Sequence, residues 1–271
     1  MTVDTTPVAP AGKGERSMLR SVAVPTEHGG WGLTAEPVVL GLAVAPSVAG
    51  ACIGLAAMLA FVARTPLRVV LVDRHRHRDL ARTILARKVL GVEFAAISAL
   101  VAVAVLTAGE PFWWPVVAAA PLVVVELWFD MRSRSRRLVP ELAGTYGICA
   151  VAAMILLAGG RPTAQAMAVW LILAGRATTA IPYVRAQIFR LHGHPASSRT
   201  LFATDVGAAA AVIAAVALDP AVVAGAAAVA AVIVFQRATA RHPVPAKVIG
   251  IRQSVLGLAV VIATTLGIHL T

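Results

Sequence analysis

Long apolar segments alternate with short polar ones along the chain after residue 23. A helix that crosses the hydrocarbon core of a bilayer needs about 20 mostly apolar residues. By that criterion the pattern predicts nine spans, with the first one broken by Pro37. They are 28–45, 47–63, 89–108, 112–129, 140–159, 163–183, 203–218, 220–236 and 248–270. The pattern therefore predicts an all-α fold, a polytopic transmembrane helical bundle.

The same pattern divides the chain into two regions. Residues 1–23 are rich in Pro, Gly, Ser and charge and contain no apolar core, so they are predicted to be a disordered cytoplasmic tail rather than a signal peptide. Residues 24–271 are predicted to form a single transmembrane domain. Composition agrees, because 59% of the residues are hydrophobic and only 14% are charged, against about 25% charged in soluble domains.

Positive residues are distributed unevenly between the two sets of loops. Of the 24 lysines and arginines, twenty-one fall in the tail and in the loops after spans two, four, six and eight, whereas the alternate loops contain only Arg161. Loops rich in lysine and arginine stay in the cytoplasm. The N-terminus is therefore predicted inside and the C-terminus outside, with the protein in the inner (cytoplasmic) membrane. The net charge of +11 indicates an anionic lipid surface as partner and not nucleic acid, because few aromatic residues accompany the basic ones.

Several ionisable side chains lie inside the predicted spans. A charge in the hydrocarbon is costly, so such a residue faces the bundle interior or water and becomes a candidate for function. Residues near a span end can also extend to the headgroups, but Glu36, Glu126 and Arg176 lie deeper in their spans. Together with Glu27 and His28, these residues predict a polar cavity that opens to the cytoplasm.

The segment VPTEHGGWGLTAEPVVLGL (24–42) combines polar residues with small ones. Its glycines permit close approach of another helix or of a ligand, and Pro37 is expected to kink or break the helix beside Glu36. The segment is therefore predicted to line a site, with an arginine of the second or sixth span near one of its acids. A tightly packed first helix, whose acids pair with loop arginines, is the structural alternative.

The loop RTPLRVVLVDRHRHRD (64–79) has two interpretations. Arg64 and Arg68 indicate a cationic clamp for a phosphate or diphosphate headgroup, or a charge cluster that only sets topology. Pro66 disfavours a regular helix there. The histidine pairs HRH in this loop and HGH at 192–194 have spacings found in metal sites, but the neighbouring cations would repel a divalent ion, so no metal is predicted.

Three segments, PTEHGGWGLTAEPVVLGL, FVARTPLRVVLVDR and YVRAQIFR, resemble the YwiC-like family of bacterial integral membrane proteins. The resemblance covers nearly the whole chain after about residue 20. It implies a membrane protein and carries no specific activity.

The predicted topology is also similar to that of the UbiA superfamily of intramembrane prenyltransferases. That similarity implies that spans two and six end side by side, and that two Asp-rich motifs bind an isoprenoid diphosphate through Mg²⁺. Here Arg64, Arg68 and Asp73 occupy the first place, and Tyr183 and Arg185 the second. Isolated aspartates do not build a two-metal cluster, so arginine is expected to bind any diphosphate directly.

The sequence is compatible with three functions. The first is binding, with or without transformation, of an amphipathic anionic lipid or isoprenoid, with Glu36, Glu126 or His28 as the acid or base. The other candidates would bind the ligand: Glu27, Arg64, Arg68, Asp73, Arg176, Tyr183 and Arg185. The second function is transport of a small anion or proton along the buried charges. The third is a non-catalytic membrane assembly partner. The sequence does not identify a cofactor or a protein partner.

Overall fold

The structure is a computed structural model that describes residues 28–78, 80–132 and 137–271, together with the single positions 19 and 22. Apart from those two positions, the predicted tail lies outside the described residues. Glu27 and the side chain of His28, two of the candidate site residues, lie outside them as well.

Nine α-helices occur in the described ranges, and they follow the nine predicted spans in order. They are α1 (His28–Val44), α2 (Val48–His75), α3 (Ala81–Thr107), α4 (Trp114–Met131), α5 (Leu138–Ala158), α6 (Thr163–Leu191), α7 (Ser198–Leu218), α8 (Val223–Thr239) and α9 (Ala246–Leu270). A short 3₁₀ turn, Pro220–Val222, leads into α8. These ranges contain no strand, so the all-α class is confirmed.

Eight of the described helices, α2 to α9, are long and apolar enough to cross a membrane, with α8 counted together with the 3₁₀ turn before it. The α1 helix has 17 residues, which makes it about 26 Å long at the rise of an α-helix. It nevertheless belongs to the bundle, because its Leu40 and Val44 are fully buried in the core. The chain is therefore a multi-pass membrane protein, as predicted.

Proline does not interrupt these helices, so the breaks expected at Pro37 and Pro66 were wrong. The α1 helix runs through Pro37. The α2 helix runs through Pro66 to His75, so most of the predicted loop 64–79 is helical. The α6 helix contains Pro182 and extends to Leu191. Prolines are tolerated inside membrane helices because neighbouring helices satisfy the carbonyls that they free. Basic residues extend α2, α3 and α6 beyond their apolar stretches.

The α5 and α6 helices form the centre of the bundle. The α5 helix packs against α1, α2, α4 and α6, and the α6 helix also packs against α7, α8 and α9. Ile155 and Leu156 of α5 and Ile172 of α6 are fully buried in the hydrophobic core. The α3 helix is peripheral: it packs against α2 and exposes large apolar side chains such as Phe94 and Leu106. The UbiA-like arrangement of α2 and α6 stays a prediction.

Contacts between helix termini define two ends of the bundle. At one end, here called the charged end, Asp73 near the end of α2 pairs with Arg82 at the start of α3, and Arg185 late in α6 pairs with Glu141 early in α5. At the opposite end, Arg161 after α5 donates to the carbonyl of Val44, where α1 ends. The α1 and α5 helices therefore end on the same face, as alternating spans require.

Candidate functional site

A buried cluster joins α1, α6 and α9 in the interior of the bundle. Arg176 is 1% exposed, and its Nη2 atom donates to Glu36 Oε1 at 3.3 Å and to the backbone carbonyl of Gln253 at 2.8 Å. An arginine of the sixth span therefore contacts an acid of the first segment, and that expectation is confirmed. We call Glu36, Arg176 and Gln253 the central cluster.

The central cluster contains polar atoms without hydrogen-bond partners among the described residues. They are Nε and Nη1 of Arg176 and both side-chain polar atoms of Gln253. A buried donor left without an acceptor costs about 1–3 kcal/mol. The cluster therefore offers more hydrogen-bond donors than the described part of the chain satisfies, and two of them belong to the Arg176 guanidinium.

Small residues of α9 make room for the Glu36 side chain. A Cβ atom on Gly257 would overlap the Glu36 carboxylate. One turn before Glu36, a Cβ on Gly32 would meet only the hydroxyl of Ser254, at 3.9 Å. We call this lightly filled contact between α1 and α9 the α1–α9 groove. The Glu36 side chain is 12% exposed, so the central cluster is close to the surface there.

A second group of charges joins α2 and α4. Arg64 lies 2.8 Å from Glu126 and 3.2 Å from Asp130, and the two acids share this arginine because they are four residues apart on one helix. On α5, a Cβ on Gly144 would overlap the Glu126 carboxylate. The predicted clamp residue Arg64 is therefore part of an ion-pair triad, with Asp130 1% exposed.

The other predicted site residues lie in separate groups. Asp73 accepts hydrogen bonds from Arg82 at 2.9 Å and from the Thr83 hydroxyl at 2.6 Å. Arg185 donates to Glu141 at 2.9 Å, as described above. Arg68 is half-buried on α2, one turn after the arginine of the triad. The described contacts thus divide the predicted ligand residues among several ion pairs.

Polar residues also follow one face of α6 toward the charged end. The Thr179 hydroxyl lies 2.7 Å from Asp205 of α7 and 2.9 Å from the Gln236 carboxamide of α8. One turn later, Tyr183 is buried and its hydroxyl lies 2.9 Å from Thr239. We call this contact between α6, α7 and α8 the polar seam. Thr179 was expected on one face of the sixth span with Arg176 and Tyr183, whereas Gln236 and Thr239 were missed because a neutral side chain in a span carries little energetic signal.

The magnesium site implied by UbiA similarity does not fit these residues. Asp73 is held by Arg82 and Thr83, while Asp205 is held by Arg237 and Thr179. Each aspartate therefore has a cation as its own neighbour, which opposes binding of a divalent ion. Among the described residues, no group of three or more His, Cys, Asp or Glu side chains has metal-binding geometry.

Comparison with known proteins gives one match. The model of the YwiC-like protein family matches residues 24–158, which include α1 to α5. The match contains Glu36 and Arg64 but not Arg176, and the segment YVRAQIFR lies beyond it. No curated protein and no solved structure matches this chain.

Proposed function

Because the chain belongs to the YwiC-like protein family, whose name specifies no reaction, we propose a function from the central cluster: the protein binds the anionic group of an amphipathic lipid or isoprenoid there. The observation that carries this proposal is the buried Arg176 guanidinium, two of whose nitrogens have no acceptor among the described residues.

The chemistry of this guanidinium favours an oxyanion. Arginine presents its donors in a planar fork that matches a carboxylate or a phosphate. Glu36 and the Gln253 carbonyl both accept from Nη2, so Nε and Nη1 are available for a ligand. The Gln253 carboxamide, which lacks described partners, adds a neutral donor beside them. Because Nε and Nη1 do not share one open edge of the guanidinium, a ligand with several separate oxygen atoms, such as a diphosphate, would satisfy these donors.

The α1–α9 groove supports an amphipathic ligand in preference to a water-soluble one. On α9, Ser254 and Gly257 line the groove, and Gly250 lies one turn before Ser254 on the same helix face. A Cβ on Gly250 would meet nothing within 4 Å. An apolar chain can lie along such a surface within the bilayer while its anionic end reaches Arg176.

Transport of a proton or a small anion is the alternative, and the polar seam favours it. Thr179 follows Arg176 on the same face of α6, so polar contacts continue from the central cluster toward the charged end. In membrane interiors such rows of polar side chains mark ion or proton paths. The two functions differ in whether an apolar chain is needed for binding.

Thermal unfolding of the purified protein in detergent tests the proposal with three probes. Farnesyl diphosphate has both an anionic head and an apolar chain, farnesol has only the chain, and inorganic diphosphate has only the head. A ligand that binds the folded state raises the melting temperature. Farnesyl diphosphate is expected to raise it more than either of the other two.

Two variants test whether farnesyl diphosphate binds at the central cluster. The double variant Glu36→Gln/Arg176→Gln removes the charges without leaving one unpaired, and it is expected to reduce the farnesyl diphosphate shift to that of farnesol. Arg161→Gln removes one positive charge at the opposite end and should keep the full shift. A full shift in the double variant would reject the central cluster. Equal protection by inorganic diphosphate would favour small-anion transport instead.

A further inference from the structure

A shallow cavity lies at the charged end, between the ends of α2 and α4. Its volume is about 450 Å³, and His75, Arg76, Met131 and Arg132 line it. We call it the α2–α4 cavity. It is separate from the central cluster and contains part of the HRH motif, for which the proposed function has no use.

The end of α2 holds its basic residues in a fixed place. The N–H of His77 donates to the carbonyl of Arg74, and the N–H of Arg78 donates to the carbonyl of Asp73 at 2.9 Å. These two bonds, with His77 in the left-handed region at φ 52°, form a Schellman cap. The cap stops the helix sharply, so His75 and Arg76 are held at the rim of the cavity.

The end of α4 orients the second arginine. The guanidinium carbon of Arg132 lies 4.0 Å from the centroid of the Trp128 ring, which is a cation–π contact. Such stacking leaves the edge of the guanidinium, with its N–H donors, able to bind an oxyanion. Trp128 is 48% exposed, and tryptophan is enriched at the depth of the lipid headgroups.

The balance of charge around the cavity is positive. Two helix C-termini contribute about half a negative charge each, whereas the sequence places three arginines and one aspartate at 74–79 and four arginines at 132–137. Among the described acids near the cavity in sequence, Asp73 and Asp130 are already paired with Arg82 and with the arginine of the triad. An anion at the cavity is therefore attracted.

An apolar stripe leads from the cavity along the outside of α4. Val117, Val124 and Trp128 are all exposed, and they fall on the same helix face as Arg132. An acyl chain can lie on this stripe while its headgroup occupies the cavity. A free phosphate compound would use the arginines and leave the stripe unused. From this arrangement we propose that the α2–α4 cavity binds the phosphate headgroup of an anionic membrane phospholipid.

Native mass spectrometry of the full chain tests the site, with dioleoylphosphatidylglycerol and dioleoylphosphatidylcholine as probes. Phosphatidylglycerol is expected to bind more tightly. Arg132→Gln should weaken its binding about fivefold, since one basic residue near a membrane surface contributes about 1 kcal/mol. Arg199→Gln removes another exposed positive charge, at the start of α7, and should leave binding unchanged. Equal losses in the two variants would overturn a specific site.

The ring beneath Arg132 and the source of the phosphate are tested separately. Trp128→Leu removes the ring but keeps an apolar surface. It should weaken the binding of phosphatidylglycerol and leave the binding of phosphatidylcholine unchanged. Trp128→Phe should restore part of the preference for phosphatidylglycerol. If neither variant changes the preference for phosphatidylglycerol, the cavity is not its site. Displacement of the lipid by millimolar glycerol 3-phosphate would identify a site for soluble phosphate compounds and would overturn the lipid assignment.

Discussion

The guanidinium of Arg176 lies 3.3 Å from the carboxylate of Glu36, although 140 positions separate the two residues along the chain. Both charges are inside a bundle of apolar helices, so each is the counter-ion of the other. Loss of one partner from a buried pair leaves the other charge uncompensated, which costs about 3–5 kcal/mol, whereas replacement of both is often nearly neutral.

The first prediction concerns this pair. Glu36→Gln and Arg176→Gln should each lower the free energy of unfolding by about 3 kcal/mol, and the double variant should lose less than the sum of the two. Thermal or chemical unfolding in detergent would measure the three changes in a double-mutant cycle, with an expected coupling of about 0.5–3 kcal/mol. Strictly additive losses would contradict a direct pair.

The second prediction compares two glycines of α9. Gly257→Ala places a methyl group where the Glu36 carboxylate lies, so it should destabilise the protein by about 1–3 kcal/mol. Gly250→Ala meets nothing within 4 Å and should stay within about 0.5 kcal/mol of the wild type. Melting temperatures of the two variants in the same detergent provide the measurement. Equal effects would show that the carboxylate does not pack against α9.

The third prediction concerns the hydrogen bond between Asp73 near the end of α2 and Thr83 at the start of α3. Asp73 is 1% exposed and accepts the Thr83 hydroxyl bond at 2.6 Å. Thr83→Val keeps the shape of the side chain but removes this bond, and it should cost about 1–3 kcal/mol. Thr107→Val is the matched control, because the Thr107 hydroxyl is exposed and bonds only within its own helix. Similar melting temperatures for the two variants would show that this hydrogen bond does not stabilise the protein.

The fourth prediction concerns the orientation in the membrane. Because loops rich in arginine stay in the cytoplasm, reporter fusions after Arg78, Arg190 and Arg241 should read cytoplasmic. Fusions after Thr107 and after the C-terminus should read external. Alkaline phosphatase and green fluorescent protein, which are active on opposite sides, provide complementary measurements. One well-expressed fusion on the wrong side would overturn the nine-span topology.

The number and order of the helices were predictable because apolar length alone identifies a membrane span. Their ends were less predictable, as Pro66 illustrates. In water a proline there would favour a loop, but in α2 the helix continues to His75. In a membrane bundle, groups from neighbouring helices can satisfy the backbone carbonyl that a proline frees, and no local sequence pattern reveals which neighbour lies there.

The candidate site was predictable to the extent that it involves charge. The cost of burying Glu36 led to the expectation of an arginine partner, and the structure provides Arg176. The participation of Gln253 was not predictable, because a neutral amide in a span carries little energetic signal. The pairing of Arg64 with Glu126 also depends on the space that Gly144 leaves between helices, which only the assembled bundle defines.

The separation of Glu36 and Arg176 along the chain has a consequence for biosynthesis. At about 5–20 residues per second, a ribosome needs about 7–28 seconds to add the 140 residues between them. Throughout that time Glu36 lacks its counter-ion. Gln253, the third member of the central cluster, is added later still. The first helix therefore reaches its final environment only after most of the protein has been made, and the bundle closes around it from the C-terminal side.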